Sequence, residues 1–159
     1  MQSSEVCKCK SKPKDPAVEP DAIPVHDAPS IAKTIIHTTK APQAVGPYSQ
    51  AVVFDNTVYV SGCLGLNKDT MKLVEGGAVA EIRQALISLG HILGEAGSSY
   101  ANVLKTSVFV EDIGDFAAVN DVYKEFFTKD CPARACIQVA KLPLGAKVEV
   151  DAIAGIAKK

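Results

Sequence analysis

Residues 131–155 read CPARACIQVAKLPLGAKVEVDAIAG, and in steps of two they separate into two faces. Ala135, Ile137 and Val139 share one face, and Arg134, Cys136 and Gln138 share the other. Beyond a turn containing Pro143 and Gly145 the alternation resumes, with Val148, Val150 and Ala152 set against Lys147, Glu149 and Asp151. A period of two marks a strand that buries one face and presents the other. The stretch predicts a hairpin that is apolar toward a core and carries an arginine, a thiol and two carboxylates on its second face. Closed symmetrically about Pro143-Leu144, it would set Gln138 opposite Glu149, Cys136 opposite Asp151 and Arg134 opposite Ile153.

Upstream segments supply the rest of a sheet. KTIIHTT (33–39) is short and β-branched, and QAVVFDNTVYVSG (50–62) reads as two strands joined at Asp55-Asn56, both of which tolerate the positive φ of a tight turn. In SGCLG (61–65), Gly62 and Gly65 mark where strand gives way to loop, and VLKTSVFVED (103–112) is a further strand. Between these lie two helices. Val79, Ile82, Leu86, Leu89, Leu93 and Ala96 recur at spacings of 3 and 4, which predicts a helix over 77–96 with Gly97 just past its end. Residues 112–129 predict a second helix, capped by Asp112 or Asp115, with Phe116, Val119, Tyr123, Phe126 and Phe127 on its apolar side. The order strand, strand, strand, helix, strand, helix, strand, strand predicts an α+β domain: a six-stranded sheet with two helices on one face. The other face then needs a partner, and self-association would supply one.

Composition narrows the function classes. The chain has 159 residues, and Lys+Arg at 17 against Asp+Glu at 18 leaves no basic excess of the kind phosphate-backbone binding calls for. Five cysteines, with no C-x-x-C, do not make a disulfide framework and suit a reducing compartment. Residues 1–33 hold five of the nine prolines and few large apolar side chains, so they read as a flexible extension preceding a domain at 34–159. The extension lacks the apolar core of a secretory signal, and it carries acids and no arginine, unlike a standard mitochondrial leader. A cytoplasmic location is expected, with mitochondrial entry through an atypical leader also open. Cys7 and Cys9 could form half of a metal site, but no other Cys or His pair stands at ligand spacing. There is no phosphate-binding glycine loop, zinc-protease or serine-hydrolase motif.

The chemistry-bearing candidates are few. Arg134 offers a rigid fork of donors that suits a carboxylate or phosphate; it either pairs with Glu149 or Asp151, or is free for a ligand or another subunit. Cys136 and Cys63 have no histidine evidently near to activate a thiolate, which favours structural thiols. Asn120 falls at the edge of the apolar stripe of the second helix, where it either bonds nearby backbone or faces a site. Tyr48 leaves the rigid Gly46-Pro47 bend, either packing there or lending its hydroxyl and ring to a pocket. His91 lies off the stripe of the first helix and reads as a solvated residue.

The segments APQAVGPYSQAV, VYVSG, LKTSVFVEDIGDFAAVNDVY and PARACIQVAKLPLGAKVEVDAIA occur here in that order. Together they resemble the RidA (YjgF) family of reactive-intermediate deaminases over residues 34–157. The resemblance implies a chorismate-mutase-like fold, three subunits closing into a central barrel, and sites in the clefts between subunits. It implies hydrolysis of enamines and imines such as 2-iminobutanoate and 2-iminopropanoate to 2-keto acids and ammonia, with no cofactor. By the same resemblance Arg134 would hold the substrate carboxylate and Glu149 would orient or activate water. Tyr48 and Asn120 would line the cleft, and backbone at Gly62 and Cys136 would contact the substrate. Cys63 departs from the glutamine that family members often carry after Ser-Gly, which bears on substrate preference. The competing readings are a small-carboxylate-binding or chaperone-like trimer, and an endoribonuclease that inhibits translation. Nucleic acid is not an expected partner, and no membrane is.

Overall fold

A computed structural model describes residues 31–157. The expectations for residues 1–30, including Cys7 and Cys9, lie outside the described residues. Six strands form one sheet: β1 (Thr34–Ile36), β2 (Ala51–Phe54), β3 (Thr57–Leu64), β4 (Val103–Val110), β5 (Ala133–Gln138) and β6 (Val148–Gly155). Two helices, α1 (Gly77–Glu95) and α2 (Phe116–Phe126), pack against each other and cover one face. The expected six-stranded α+β architecture is what the chain adopts. Among the described residues no helix is long and apolar enough to cross a membrane.

The core forms where the sheet meets α1. Ile82, Leu86, Leu89 and Leu93 are fully buried against Val58, Val108, Val148 and Val150. Each such side chain contributes about 1.5–3 kcal/mol on removal from water. Val79, placed on this stripe by its spacing, is instead exposed, and Ala78, Ala85 and Ile92 fill the buried face. Gly97 ends the helix at φ 76°, and the Ser98 N–H reaches back to the Leu93 carbonyl at 2.8 Å. The second helical segment opens as a short 3-10 turn over Ile113–Asp115, with the Asp112 carboxylate accepting from the Gly114 N–H at 2.8 Å, and α2 follows from Phe116. In the β2–β3 turn Asp55 takes positive φ and Asn56 does not. β3 runs on through Gly62 to Leu64 rather than ending there, with a register break between Val60 and Cys63.

Strand order corrects the hairpin. The sheet runs β1-β2-β3-β6-β4-β5, so β4 lies between β5 and β6 and the two do not pair. Because α2 intervenes between β4 and β5, the chain returns in the same direction and β5 pairs with β4 in parallel, Thr106 with Arg134 and Val108 with Cys136. β6 pairs antiparallel to β4 from the other side, Phe109 with Glu149 and Ser107 with Asp151. The face assignment changes with it. Thr106 and Val108 point toward the helices and are fully buried, so their neighbours Arg134 and Cys136 lie on the helix side. Glu149 and Asp151 lie on the uncovered side with Ser107, Phe109 and Ile137. Gln138 also lies on the helix side, where its carbonyl oxygen accepts from the Ile113 N–H at 3.2 Å.

The uncovered face is partly apolar. Ile35, Tyr59 and Ile137 are each about half exposed on it, at 52%, 47% and 50%. Phe109 and Ile153 stand among them, partly buried.

Candidate functional site

The sheet margin near the end of β3 is organised by a buried amide. Gln50 is buried just before β2, and its side chain ties down the loop before it. Its Oε1 accepts from the Thr38 N–H at 2.7 Å, and its Nε2 donates to the Thr38 carbonyl at 3.1 Å and the Pro42 carbonyl at 2.8 Å. That loop carries Tyr48. The Tyr48 hydroxyl accepts from the Val45 N–H at 3.2 Å, and its backbone N–H closes on the Gly46 carbonyl at 2.8 Å. Nothing in the sequence pattern singled out Gln50; a polar residue directly before a β-branched strand was the available signal.

Tyr48 faces a cavity of about 260 Å³ lined also by Ser61, Gly62, Cys63, Leu64, Pro143 and Glu149. It reaches inward to Ser88 and Ile92 on α1. The Glu149 side chain lies directly over Gly62, and a Cβ added there would overlap its carboxylate. Glycine is thus required by close approach and not by φ. Burial raises the Glu149 carboxyl above the ordinary carboxylate range, and the negative charge of Asp151 adds to the effect. A carboxyl raised in this way holds its proton more readily than an ordinary carboxylate, which suits it to proton transfer. The Cys63 thiol is pushed up to about 12, first by burial and then by the charges of Glu149 and Asp151. It is a neutral apolar wall, as expected, and not a nucleophile.

A second group gathers where β5 meets α2. The Arg134 guanidinium lies 4.7 Å from the ring centre of Tyr123 and 5.7 Å from that of Phe116. Among the described residues it has no ion-pair partner. The pairing with Glu149 or Asp151 left open by the sequence does not form, because those carboxylates occupy the opposite face. Asn120, four residues after Phe116 and three before Tyr123, stands on the same side of α2 and is partly buried. Cys136 is partly buried two residues beyond Arg134; burial raises its thiol, and the nearby arginine partly offsets this.

The six residues singled out from the sequence thus form two constellations within one chain. Tyr48, Gly62 and Glu149 share the cavity, and Arg134, Cys136 and Asn120 share the β5–α2 edge. Neither His37 nor His91 lines the cavity, and both are exposed.

Residues 38–156 match the family described as Endoribonuclease L-PSP. The chain is 54% identical over 125 residues to the 2-iminobutanoate/2-iminopropanoate deaminase of Capra hircus, covering 79% of this chain and 91% of that protein. Among solved structures it is similar to RidA from an Antarctic Psychrobacter, at 45% identity and a TM-score of 0.76, over 77% of this chain and 99% of that one. It is similar also to E. coli TdcF with bound serine, at 37% identity and a TM-score of 0.75, over 78% and 99% of the two chains.

Proposed function

The chain belongs to the Endoribonuclease L-PSP family, and from its likeness to relatives named as such deaminases we propose that it is a 2-iminobutanoate/2-iminopropanoate deaminase. It hydrolyses reactive imines and enamines of small 2-keto acids, releasing the keto acid and ammonia. The observation that carries this reading is the raised carboxyl of Glu149 over the bare backbone of Gly62, in a cavity sized for a small acid. Water attacks the imine carbon, a proton passes to the nitrogen, and the resulting amino alcohol collapses to ketone and ammonia. Glu149 handles the proton on the water or the leaving nitrogen. Arg134 holds the substrate carboxylate through its paired donors. Tyr48 and Asn120 border the bound acid, and the backbone at Gly62 and Cys136 contacts it.

Arg134 and Glu149 occupy separate constellations, so a complete site takes Arg134 from one subunit and Glu149 from its neighbour. The half-exposed Ile35, Tyr59 and Ile137 on the uncovered face support closure of three sheets into a barrel. RNA cleavage draws no support from the cavity, where no histidine is present among the lining residues.

The test is a coupled assay in which an amino-acid oxidase generates 2-iminopropanoate or 2-iminobutanoate and semicarbazide traps what remains. Faster keto-acid release with the wild type, lost in Arg134→Ala, supports the deaminase. Binding of 2-keto acids without turnover by a well-folded wild type would replace it with a carboxylate-binding module.

A further inference from the structure

We propose that Tyr123, locked by Thr106 and flanked by Phe116, is a positioning residue that presents the Arg134 guanidinium to the substrate carboxylate. The inference rests on the deaminase reading of Arg134 and adds a part to it. The Arg134 side chain is exposed and has no acidic partner among the described residues, so charge pairing does not fix its direction. An unpaired arginine on a surface samples many rotamers, and a ligand that needs its fork must order it on binding. Here the guanidinium rests instead on two aromatic rings, the nearer being Tyr123 at 4.7 Å.

That nearer ring is itself fixed at its hydroxyl and at one face. Tyr123 is buried, and its hydroxyl shares a 2.8 Å hydrogen bond with Thr106, which is fully buried on β4. Its ring stacks on Phe127 with centroids 4.4 Å apart. Thr106 is also the register partner of Arg134. The strand pair that sets the arginine backbone therefore also sets the ring under its head group. A cation held against a ring by its charge keeps its N–H donors available, and those donors can meet a carboxylate in a bidentate pair. Burial raises the Tyr123 phenol, so it stays neutral and keeps its bond to Thr106 through the neutral range.

The test compares binding of 2-oxobutanoate, measured by calorimetry, with steady-state kinetics for four variants. Tyr123→Phe keeps the ring stacked on Phe127 but loses the Thr106 bond, and should weaken Kd and KM by less than Tyr123→Leu does, about threefold. Tyr123→Leu removes the platform and should weaken both by about tenfold, in line with the worth of a cation–π contact. It should lower kcat much less, because Glu149 is untouched. Phe116→Ala, at a partly exposed position that does not endanger folding, should weaken binding by about threefold. Arg134→Ala serves as the reference. If Arg134→Ala abolishes binding while Tyr123→Leu and Phe116→Ala leave Kd unchanged, the platform is overturned and the arginine reading stands. If Arg134→Ala itself binds 2-oxobutanoate normally, the reading beneath both is overturned.

Discussion

Arg134 and Glu149 project from opposite faces of one sheet. Arg134 pairs with Thr106 on the helix side, and Glu149 pairs with Phe109 on the uncovered side. Within one chain they cannot hold the two ends of a molecule as small as a four-carbon imino acid. The proposed site therefore takes Arg134 from one subunit and Glu149 from its neighbour.

Arg134→Ala should reduce kcat/KM by the loss of a charge-assisted contact, of the order of 2–5 kcal/mol. Arg134→Lys should recover only part of this, since an ammonium lacks the fork and stacks less well on the Tyr123 ring. Steady-state rates for both variants, with sedimentation to show unchanged assembly, provide the check. Equal activity of the lysine variant and wild type would mean that only charge matters.

Glu149→Gln should abolish turnover and make the fold more stable at neutral pH. The sign follows from the raised carboxyl. A carboxyl whose folded pKa exceeds its unfolded value favours the fold when protonated, and that favour is lost as pH rises from the unfolded pKa through the folded one. The stabilisation by glutamine should therefore be greatest above the folded pKa and fade as the pH falls toward the unfolded value. Melting temperatures of both proteins across that range would show it. A melting temperature for Glu149→Gln below wild type at neutral pH would mean that the carboxylate is held by stabilising contacts.

Gly62→Ala should displace the Glu149 side chain. Overpacking of this kind costs about 1–3 kcal/mol, and the added methyl sits where the carboxylate lies. Activity should fall more steeply than stability. A variant with normal rates would place the working carboxylate elsewhere.

Gln50→Ala should release the loop bearing Tyr48. Three hydrogen bonds are lost, two of them the buried pair with the Thr38 backbone. An unmet buried donor costs about 1–3 kcal/mol. Chemical denaturation should show that loss, together with a raised KM. An unchanged KM would separate the loop from substrate binding.

Much of this was legible in the sequence. The eight elements appear in the expected order, because helical and strand periods are local properties. The side of the sheet to which β5 turns its arginine was not legible. Alternation says that Ala135 and Ile137 share a face, but it does not say that this face is the uncovered one. β5 is an edge strand whose helix-side neighbours are the aromatic rings of α2, so Arg134 stacks where an apolar residue was expected. The symmetric hairpin failed because adjacency in sequence was taken for adjacency in the sheet, and the crossover through α2 leaves β4 between the two strands. Gly62 was picked out by resemblance, and its physical reason became visible only once Glu149 lay across it.

The most direct test of the shared site is subunit mixing. Arg134→Ala and Glu149→Gln are each expected to be inactive. Unfolded together in equal amounts and reassembled at random, they should pair an intact Arg134 with an intact Glu149 at about one interface in four. Recovery of about a quarter of wild-type imine hydrolysis is the predicted result. No recovery from a properly assembled mixture would mean that both residues serve the same chain's site, and would contradict the account.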